Sequence, residues 1–560
     1  MKKCLLFFVA LLSFATYYGQ TESLWKSPES SKISEIKQNK KSIARPNLFK
    51  LDLAGLKTIA EKSPKQNSGN AKSSVIISFP DSEGNMQNFS VFKTSNFSPE
   101  LAAKFPEISS YYGESIDGKA SKIYFSISPL GLYSIQLRLG KEAIFIESYD
   151  KDNTTYIAYK KSDKSSNDLG FKCDTKHYSS ATNGLTMARA LGADDGLLRT
   201  YRLALSCTGE YAQYFGGTKA QALAAMNNTM TRVNAVFMND FAIKMVLIPE
   251  QENIIFTNAS TDPYSVATTG VDGAWNTELM NVLHGATYNI GDAKFDLGHL
   301  FGATGGGGNA GCIACVCNND TSYDSVEQWY WYKGQGFTSP ADAVPSGDNF
   351  DIDYVAHELG HQFGGNHTFT HSSEGTIAQV EPGSGSTIMG YAGITDQDVQ
   401  AHSDPYFHAI SIQQITDYAK STSGNCSVNT ATGNTTPTAN AGLDYTIPKS
   451  TPFILTGTGS DANGDAITYI WEEMDVQNNK STAPSATKTS GPAFRSYSPT
   501  TSPIRYFPKM SSVLAGSTTT AGDAINVEVL PSVTRTLKFR LTVRDNKTNG
   551  AANAYDDMTV

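Results

Sequence analysis

The run His-Glu-Leu-Gly-His-Gln-Phe-Gly-Gly-Asn-His, which begins at His357, restricts this chain more than any other segment. On a helix, His357 and His361 lie four residues apart and project from the same face. Glu358 stands beside the first of them, where its carboxylate can act on a water molecule at a bound cation. Gly364 lets the chain leave the helix, because glycine tolerates the left-handed conformation usual at a helix end, and His367 can then return towards the same point. Three histidine ligands with a fourth position left open predict a catalytic zinc (Zn2+) site rather than a structural one.

The residues that flank this run predict a helix that holds it in place. Capping and acidic residues precede it, and apolar residues recur through it at helical spacing. The first group is Asp348, Asn349, Asp351 and Asp353, and the second is Ile352, Val355, Ala356, Leu359 and Phe363. The alternative is a chance run on a buried helix, or a decayed site kept for packing.

The extended pattern H-E-x-x-H-x-x-G-x-x-H is the metzincin signature, and the chain resembles that superfamily of zinc peptidases. The later run Ser-Thr-Ile-Met-Gly-Tyr, which ends at Tyr391, resembles the Met-turn of the same superfamily. The resemblance implies that the Met389 side chain underlies the three imidazoles. It also implies that the Tyr391 hydroxyl lies near the metal, where it ligates zinc or stabilises an oxyanion. A place in the pocket wall is the alternative for this tyrosine.

The segment Asn309-Ala310-Gly311-Cys312 resembles the edge strand of adamalysin or reprolysin-type metzincins. In that fold the substrate adds to the strand in antiparallel orientation, so main-chain hydrogen bonds supply affinity that tolerates many sequences. An ordinary glycine-rich loop is the alternative. Thr368 stands where adamalysins carry Asp, so the resemblance favours a reprolysin-like bacterial branch over a typical animal adamalysin. The resemblance covers about residues 197–428.

At 560 residues the chain is too long for one ordinary domain. The predicted architecture is multidomain: an α/β (α+β) metzincin catalytic domain with a mixed twisted sheet and an active-site helix, after a β-rich propeptide and before an all-β Ig-like sandwich. The last region resembles polycystic-kidney-disease-like or fibronectin-like domains, with Trp471 as the core aromatic of a central strand. The expected boundaries are 1–20 for a signal peptide, 21–196 for the propeptide, 197–428 for the catalytic domain, 429–440 for a linker and 441–560 for the sandwich. The chain stops in a strand-like segment, so we expect that the sandwich, or a sorting domain after it, can extend beyond Val560.

The N-terminus has the pattern of a signal peptide. Lys2 and Lys3 form a charged region, 5–15 is apolar, and cleavage is expected near Gly19 and Gln20. No other apolar run is long enough to span a bilayer. The net charge of −9 without a basic stretch argues against nucleic-acid binding. We therefore expect a secreted, extracellular monomer.

Cys173 precedes the catalytic region and can act as a cysteine switch. A thiolate is a good zinc ligand, and it would occupy the open position until the propeptide is removed. A buried or disulfide-bonded cysteine is the alternative. Maturation is expected between 174 and 200, with Arg189 and Arg199 as conceivable cleavage points.

Two other groups of residues suggest covalent or metal chemistry. A disulfide is expected from the cluster Cys312, Cys315 and Cys317 to either Cys207 or Cys426, because an exported chain permits disulfides. In the last region, oxygen-bearing side chains are closely spaced and allow calcium (Ca2+), with a solvated turn as the alternative. These are Asp461, Asn463 and Asp465.

The sequence thus predicts a secreted zinc endopeptidase made as a zymogen, acting on proteins or peptides with Glu358 as general base. A non-catalytic adhesin or binding protein that keeps the same scaffold is the alternative. The intact carboxylate favours the enzyme, since a binding module needs no general base. The preferred peptide bond does not follow from the spacing.

Overall fold

The computed structural model describes residues 24–28, 43, 46–65, 73–118, 121–164, 170–175, 192–325, 329–477 and 483–560. The predicted signal peptide and Arg189 lie outside these residues. Three β-containing regions follow one another along the described chain. In this part of the chain, no helix has the length and apolar character needed to cross a bilayer.

The N-terminal region is one antiparallel sheet of nine strands, in the order β1-β2-β9-β8-β7-β6-β5-β4-β3. One face buries an aromatic core that includes Trp25, Phe79 and Phe125 under the first helix. The elements are β1 Trp25–Lys26, β2 Asn47–Leu51, α1 Leu53–Ala60, β3 Ile76–Pro80, β4 Met86–Thr94, α2 Pro99–Lys104, β5 Ser109–Ser115, β6 Lys122–Ser128, β7 Gly131–Arg138, β8 Lys141–Ser148 and β9 Thr155–Tyr159. The β-rich propeptide pattern therefore corresponds to a continuous sheet.

The central region is a mixed sheet flanked by helices, in the order β10-β14-β17-β13-β11-β12, with β18 also paired to β11. Strands β11, β12, β13 and β17 run parallel, and β14 is antiparallel to β17. The strands are β10 Lys172–Cys173, β11 Leu197–Cys207, β12 Ile243–Leu247, β13 Leu297–Phe301, β14 Gly307–Asn309, β15 Asn319–Asp324, β16 Trp329–Tyr332, β17 Phe337–Ser339 and β18 Val428–Ala431. The helices are α3 Gly209–Tyr214, α4 Lys219–Phe241, α5 Trp275–His284, a wider π-type turn Asn349–Val355 that leads into α6 Ala356–Gln362, and α7 Ala409–Lys420.

Helix α4 lies between the central sheet and the N-terminal sheet and is buried along most of its length. Thr218 caps it directly after Gly216 and Gly217, which both have positive φ. Its side towards the N-terminal sheet is polar: Asn228 accepts a 2.6 Å hydrogen bond from Ser126, and Arg232 lies 3.5 Å from Glu147. Hydrogen bonds and ion pairs on this side of the helix thus hold the N-terminal region together with a shared apolar cluster that includes Tyr124, Ile135 and Phe145.

The C-terminal region is built from short antiparallel strands around a core that contains Trp471. Trp471 is the predicted core aromatic, but its strand β22 lies at the edge of the sheet β22-β26-β27, in which β26 is central. The elements are β19 Thr438–Asn440, β20 Phe453–Thr456, β21 Thr458–Ser460, β22 Thr468–Glu473, β23 Ile504–Phe507, α8 Met510–Leu514, β24 Thr519–Ala521, β25 Asn526–Val529, β26 Lys538–Arg544 and β27 Asn553–Thr559.

The segment predicted as a linker, 429–440, is instead structured at both ends. Val428–Ala431 pairs with β11 and extends the central sheet, and Thr438–Asn440 pairs with β21. Its composition of Thr, Asn and Gly suggested a flexible connection, but long-range pairing overrides that local preference.

Among the described residues, two disulfides are present, Cys317–Cys426 and Cys312–Cys315. The first is one of the two pairings expected from the sequence. Cys207 is a buried free thiol in β11, so the other expected partner is not used. Arg199 also differs from its prediction as a cleavage point, because its side chain is buried in β11 and paired with Asp195.

The predicted calcium residues form a turn. One Asp461 oxygen accepts backbone N–H groups from Asn463 and Asp465 at 2.8 and 2.9 Å, and Lys547 donates to Asp465 at 3.0 Å. This geometry agrees with the turn alternative, in which backbone groups and an ammonium use one oxygen of each carboxylate.

Candidate metal centre

The helix with the histidine run starts differently from the prediction. Asp348 occupies the N-cap position, but its side chain makes no capping bond to the helix. Its Oδ1 instead accepts hydrogen bonds from Tyr159 at 2.7 Å and Lys164 at 2.9 Å, both in the N-terminal region. The carboxylate is therefore used for contact between regions.

The three predicted histidine ligands converge. The Nε2 atoms of His357 and His367 are 3.1 Å apart, those of His357 and His361 are 3.1 Å apart, and those of His361 and His367 are 2.9 Å apart. Gly364 has a φ of +104° directly after the helix, which allows the chain to return with the third ring. Tetrahedral zinc with Zn–N bonds of about 2.0–2.1 Å separates its nitrogen ligands by roughly 3.3 Å, so the three rings fit that ion.

Each ring is oriented by an acceptor at its other nitrogen. Nδ1 of His357 faces the Ile388 carbonyl and Nδ1 of His361 faces the Gly365 carbonyl, both at 2.7 Å. Nδ1 of His367 lies 2.9 Å from both Glu374 carboxylate oxygens. Such contacts favour a proton on Nδ1 and leave Nε2 free to bind a metal.

Glu374 was missed by sequence reasoning. It lies in the loop after the third histidine, where no periodicity or motif marks it.

Cys173 supplies a fourth ligand atom at this point. Its Sγ and one nitrogen from each of His357, His361 and His367 all lie within 4.8 Å of one another. The cysteine is not in a disulfide. Burial and the neighbouring Glu358 raise the pKa of its thiol, whereas a bound dication favours the thiolate.

Residues 170–175, here called the cleft segment, bring Cys173 to this position. Its strand β10 pairs in parallel with β14, with Lys172 opposite Gly307 and Cys173 opposite Gly308. A Cβ at Gly308 would lie 2.1 Å from a carboxylate oxygen of Glu358, so only glycine fits there without displacement. The cleft segment therefore lies along the edge strand, directly over the metal site.

The predicted substrate strand is shifted in the structure. Asn309 ends β14, while Ala310 and Gly311 follow it, and Gly311 has a φ of +75° that does not continue a strand. Asn309 and Ala310 nevertheless contact the cleft segment: Asn309 donates to the Asp174 carbonyl at 3.1 Å, and Ala310 N–H donates to Thr175 at 2.8 Å. The edge strand is therefore Gly307–Asn309, and of the predicted substrate segment only Asn309 belongs to it.

Glu358 is fully buried and is hydrogen-bonded to Cys173, whose sulfur lies with the histidine nitrogens. Its Oε2 accepts a hydrogen bond from the Thr175 hydroxyl at 3.1 Å. Burial raises the pKa of this carboxyl to about 8, and hydrogen bonds from Cys173 and Thr175 act in the opposite direction. The predicted general base is thus covered by the cleft segment.

Tyr391 lies at the same place. Its ring centroid is 4.6 Å from that of His367 and 5.7 Å from that of His357, and its hydroxyl donates to the Cys173 carbonyl at 3.1 Å. A hydroxyl that bonds a carbonyl oxygen next to the ligand atom can also bond a substrate carbonyl held there.

Met389 packs beneath the helix between the first two histidines. A Cβ at Gly360 would lie 2.6 Å from its sulfur, so the methionine rests directly on the helix backbone. The turn is stabilised by the buried carboxylate of Glu381, which accepts from Thr368, from the Thr387 hydroxyl and from the backbone and hydroxyl of Ser386. Thr368 stands where the adamalysin pattern has Asp, and its hydroxyl donates to the carboxylate of Glu381 later in the loop.

Comparison with known families agrees with this geometry. Residues 198–421 match the model of the reprolysin-like metallopeptidases of family M12B. No curated protein matches the chain. The match covers less than half of the chain and supports a metzincin-type, zinc-dependent metallopeptidase domain in its central region.

Proposed function

We propose that this chain is a secreted zinc endopeptidase made as a zymogen. The observation that carries the proposal is the convergence of three Nε2 atoms and the Cys173 sulfur on one point, with Glu358 buried beside it. The family match supports the peptidase and the donor set supports zinc. The substrates would be proteins or peptides, and the working form a monomer.

His357, His361 and His367 would hold the ion, which supplies a Lewis acid for a peptide carbonyl and lowers the pKa of water. Glu358 would take a proton from the attacking water and return it to the leaving amine. Tyr391 would donate its hydroxyl hydrogen bond to the carbonyl oxygen as negative charge develops there. The edge strand β14 would align the substrate backbone through its main-chain groups.

Latency would follow from the cleft segment. It occupies the edge strand in parallel orientation, the reverse of the antiparallel direction expected for a substrate. Its thiol would fill the open ligand position and its Thr175 hydroxyl would hold the general base. Removal of the segment would free all three elements at once.

Maturation would occur between 175 and 192, because the chain is paired to β14 before this interval and held by Lys420 after it. Export would follow from the signal-like N-terminus and is supported by the two disulfides, which persist in oxidising compartments. The C-terminal region would remain attached as an Ig-like or PKD-like domain of a bacterial reprolysin-like enzyme.

The test uses the full chain and its processed form, each measured for zinc by mass spectrometry and for cleavage of casein or gelatin. The processed wild type should carry one zinc and cleave, and Glu358→Gln should retain zinc while activity falls by about 10²–10⁴-fold. Zinc at one equivalent with no cleavage by the processed wild type would favour the adhesin alternative.

A further inference from the structure

A pocket beside the metal site is filled from two directions by the N-terminal region. It is lined by His357, Tyr391 and the residues that follow the methionine turn, with Asp353, Tyr354 and Ser403 at its other side. The space left for water in it is about 20 Å³. The uncut chain thus leaves room for little more than water there.

The first occupant is Phe171, two residues before the cysteine. Its ring stacks on Tyr354 with a centroid distance of 3.8 Å and an interplanar angle of 6°. Both rings are buried. The part of the pocket nearest the metal site thus has a flat apolar wall.

The second group from the N-terminal region is an ammonium, which contacts the lining residues Asp353 and Ser403. Lys161 forms a buried ion pair with Asp353 and donates to the Ser403 carbonyl at 2.8 Å. His402 lies 3.4 Å from the other Asp353 oxygen. A carboxylate and a carbonyl at the end of the pocket therefore accept a cation supplied by the N-terminal region.

Two acceptors near Asp353 also bind an ammonium group of the N-terminal region. Lys164 donates to Asp348 at 2.9 Å and to Asn349 at 2.8 Å. Loss of the N-terminal region would remove both ammonium groups and leave two carboxylates near the start of the catalytic helix. Without these ammonium groups the two carboxylates keep their negative charge, so the mature pocket would favour a ligand of complementary positive charge.

We infer that, in the mature peptidase, this pocket selects a lysine or arginine side chain next to the scissile bond. Asp353 and His357 both line the pocket and lie about one helical turn apart, a separation that a long side chain spans. The aliphatic stem would lie on Tyr354, as the ring of Phe171 does, and the charged group would reach Asp353 and the Ser403 carbonyl. A phenylalanine would fill the wall but would bring no cation to Asp353 in place of the Lys161 ammonium group. The inference rests on the proposed function, since it needs a peptidase freed from its N-terminal region.

The test compares peptides that differ at one residue flanking the cleaved bond: arginine, citrulline as its neutral isostere, norleucine and phenylalanine. Processed enzyme should cleave the arginine peptide with a kcat/KM at least about tenfold above that of citrulline, because citrulline keeps the shape and loses the charge. Asp353→Asn should reduce this arginine-to-citrulline ratio to about one. Asp272→Asn, at an exposed position of the same domain, should keep the ratio.

Two results overturn the inference. One is an arginine-to-citrulline ratio near one in the wild type, and the other is an unchanged ratio in Asp353→Asn. Cleavage of the peptides without a basic preference would remove this inference and leave the proposed function intact, whereas zinc-loaded processed protein that cleaves none of them would remove both. Anisotropy titration of processed Glu358→Gln with labelled arginine and citrulline peptides measures their dissociation constants without turnover. The arginine peptide should bind more tightly than the citrulline peptide. This second measurement means that a folding defect in one variant does not decide the outcome.

Discussion

The two β-rich regions that flank the central domain contact it at different places. The N-terminal region reaches the metal site itself, through Cys173 at the histidines and Thr175 at Glu358. The C-terminal region contacts the elements that carry the site. Arg544 forms an ion pair with Asp240, and Ser496 accepts a hydrogen bond from Tyr406. The N-terminal contacts cover the metal ligands and Glu358, and the C-terminal contacts stabilise the helices and turns that carry those residues.

This difference separates latency from stability. Ser496 accepts a hydrogen bond from Tyr406 at 2.9 Å and donates to Glu472 at 2.7 Å, and Glu472 accepts the backbone N–H of Ala409 at the start of α7 at 3.0 Å. The Tyr406 carbonyl also accepts the N–H of Ile388, next to the methionine turn. We therefore expect changes at the C-terminal contacts to unfold the site, and changes at the cleft segment to open it.

The largest effect is expected from Arg544→Met. Arg544 donates to Asp240 at 3.0 Å, and both side chains are buried, so the substitution leaves a carboxylate without its cation. A loss of about 3–5 kcal/mol in the free energy of unfolding is expected, measured by urea denaturation of the processed protein. The double variant Asp240→Asn with Arg544→Met should recover part of it. A loss below about 1 kcal/mol would show that this contact does not support the domain.

Cys173→Ser should act on latency. The uncut variant should cleave casein at least about tenfold faster than the uncut wild type. Without the thiol, a larger fraction of the uncut molecules has an open fourth ligand position at the metal. Its thermal midpoint should change little, in contrast to Arg544→Met. Uncut Cys173→Ser with Glu358→Gln serves as the inactive control, and equal latency with and without the thiol would contradict the switch.

Glu374→Gln should weaken the metal site without opening it. Glu374 contacts Nδ1 of His367, and loss of such an outer-shell carboxylate lowers zinc affinity by about 10–100-fold. Competition with a chromophoric chelator measures this constant in the processed protein. Glu210→Gln, exposed on α3, is the matched control. Equal affinities for the two variants would remove the orienting role of Glu374.

Ser496→Ala should give the smallest change. It removes a hydroxyl that links Tyr406 to Glu472, which costs about 1 kcal/mol for a typical hydrogen bond. Urea denaturation should show this loss, while latency of the uncut chain stays at the wild-type value. A rise in uncut activity would mean that the two sets of contacts are not separable.

The sequence predicts the parts of the site that lie within one helix and its following turn. The positions of His357 and His361 follow from helical spacing, and the return of His367 follows from the glycine after the helix. The general location of Cys173 also follows, from zinc chemistry and chain order. The structure brings these side chains together. Helical spacing and the glycine turn place the three rings locally, whereas Cys173 reaches them through the pairing of its strand with β14.

The remaining groups depend on tertiary contacts that leave no local pattern. Lys161 and Asp353 form an ion pair although 192 residues separate them in the sequence. Asp348 has the sequence context of a helix cap, but its side chain binds Tyr159 of the N-terminal sheet. The predicted linker failed for the same reason, because β18 gains its partner from the start of the domain. Ion pairs and hydrogen bonds between the regions depend on how the regions pack, and a single sequence does not show which residues they join.

X-ray absorption at the zinc edge tests the central account most directly. The uncut chain should show zinc with three nitrogen ligands at about 2.0–2.1 Å and one sulfur at about 2.3 Å. Processed protein and uncut Cys173→Ser should both retain the nitrogens and lose the sulfur. Uncut protein whose zinc has no sulfur ligand, or that binds no zinc, would contradict the account.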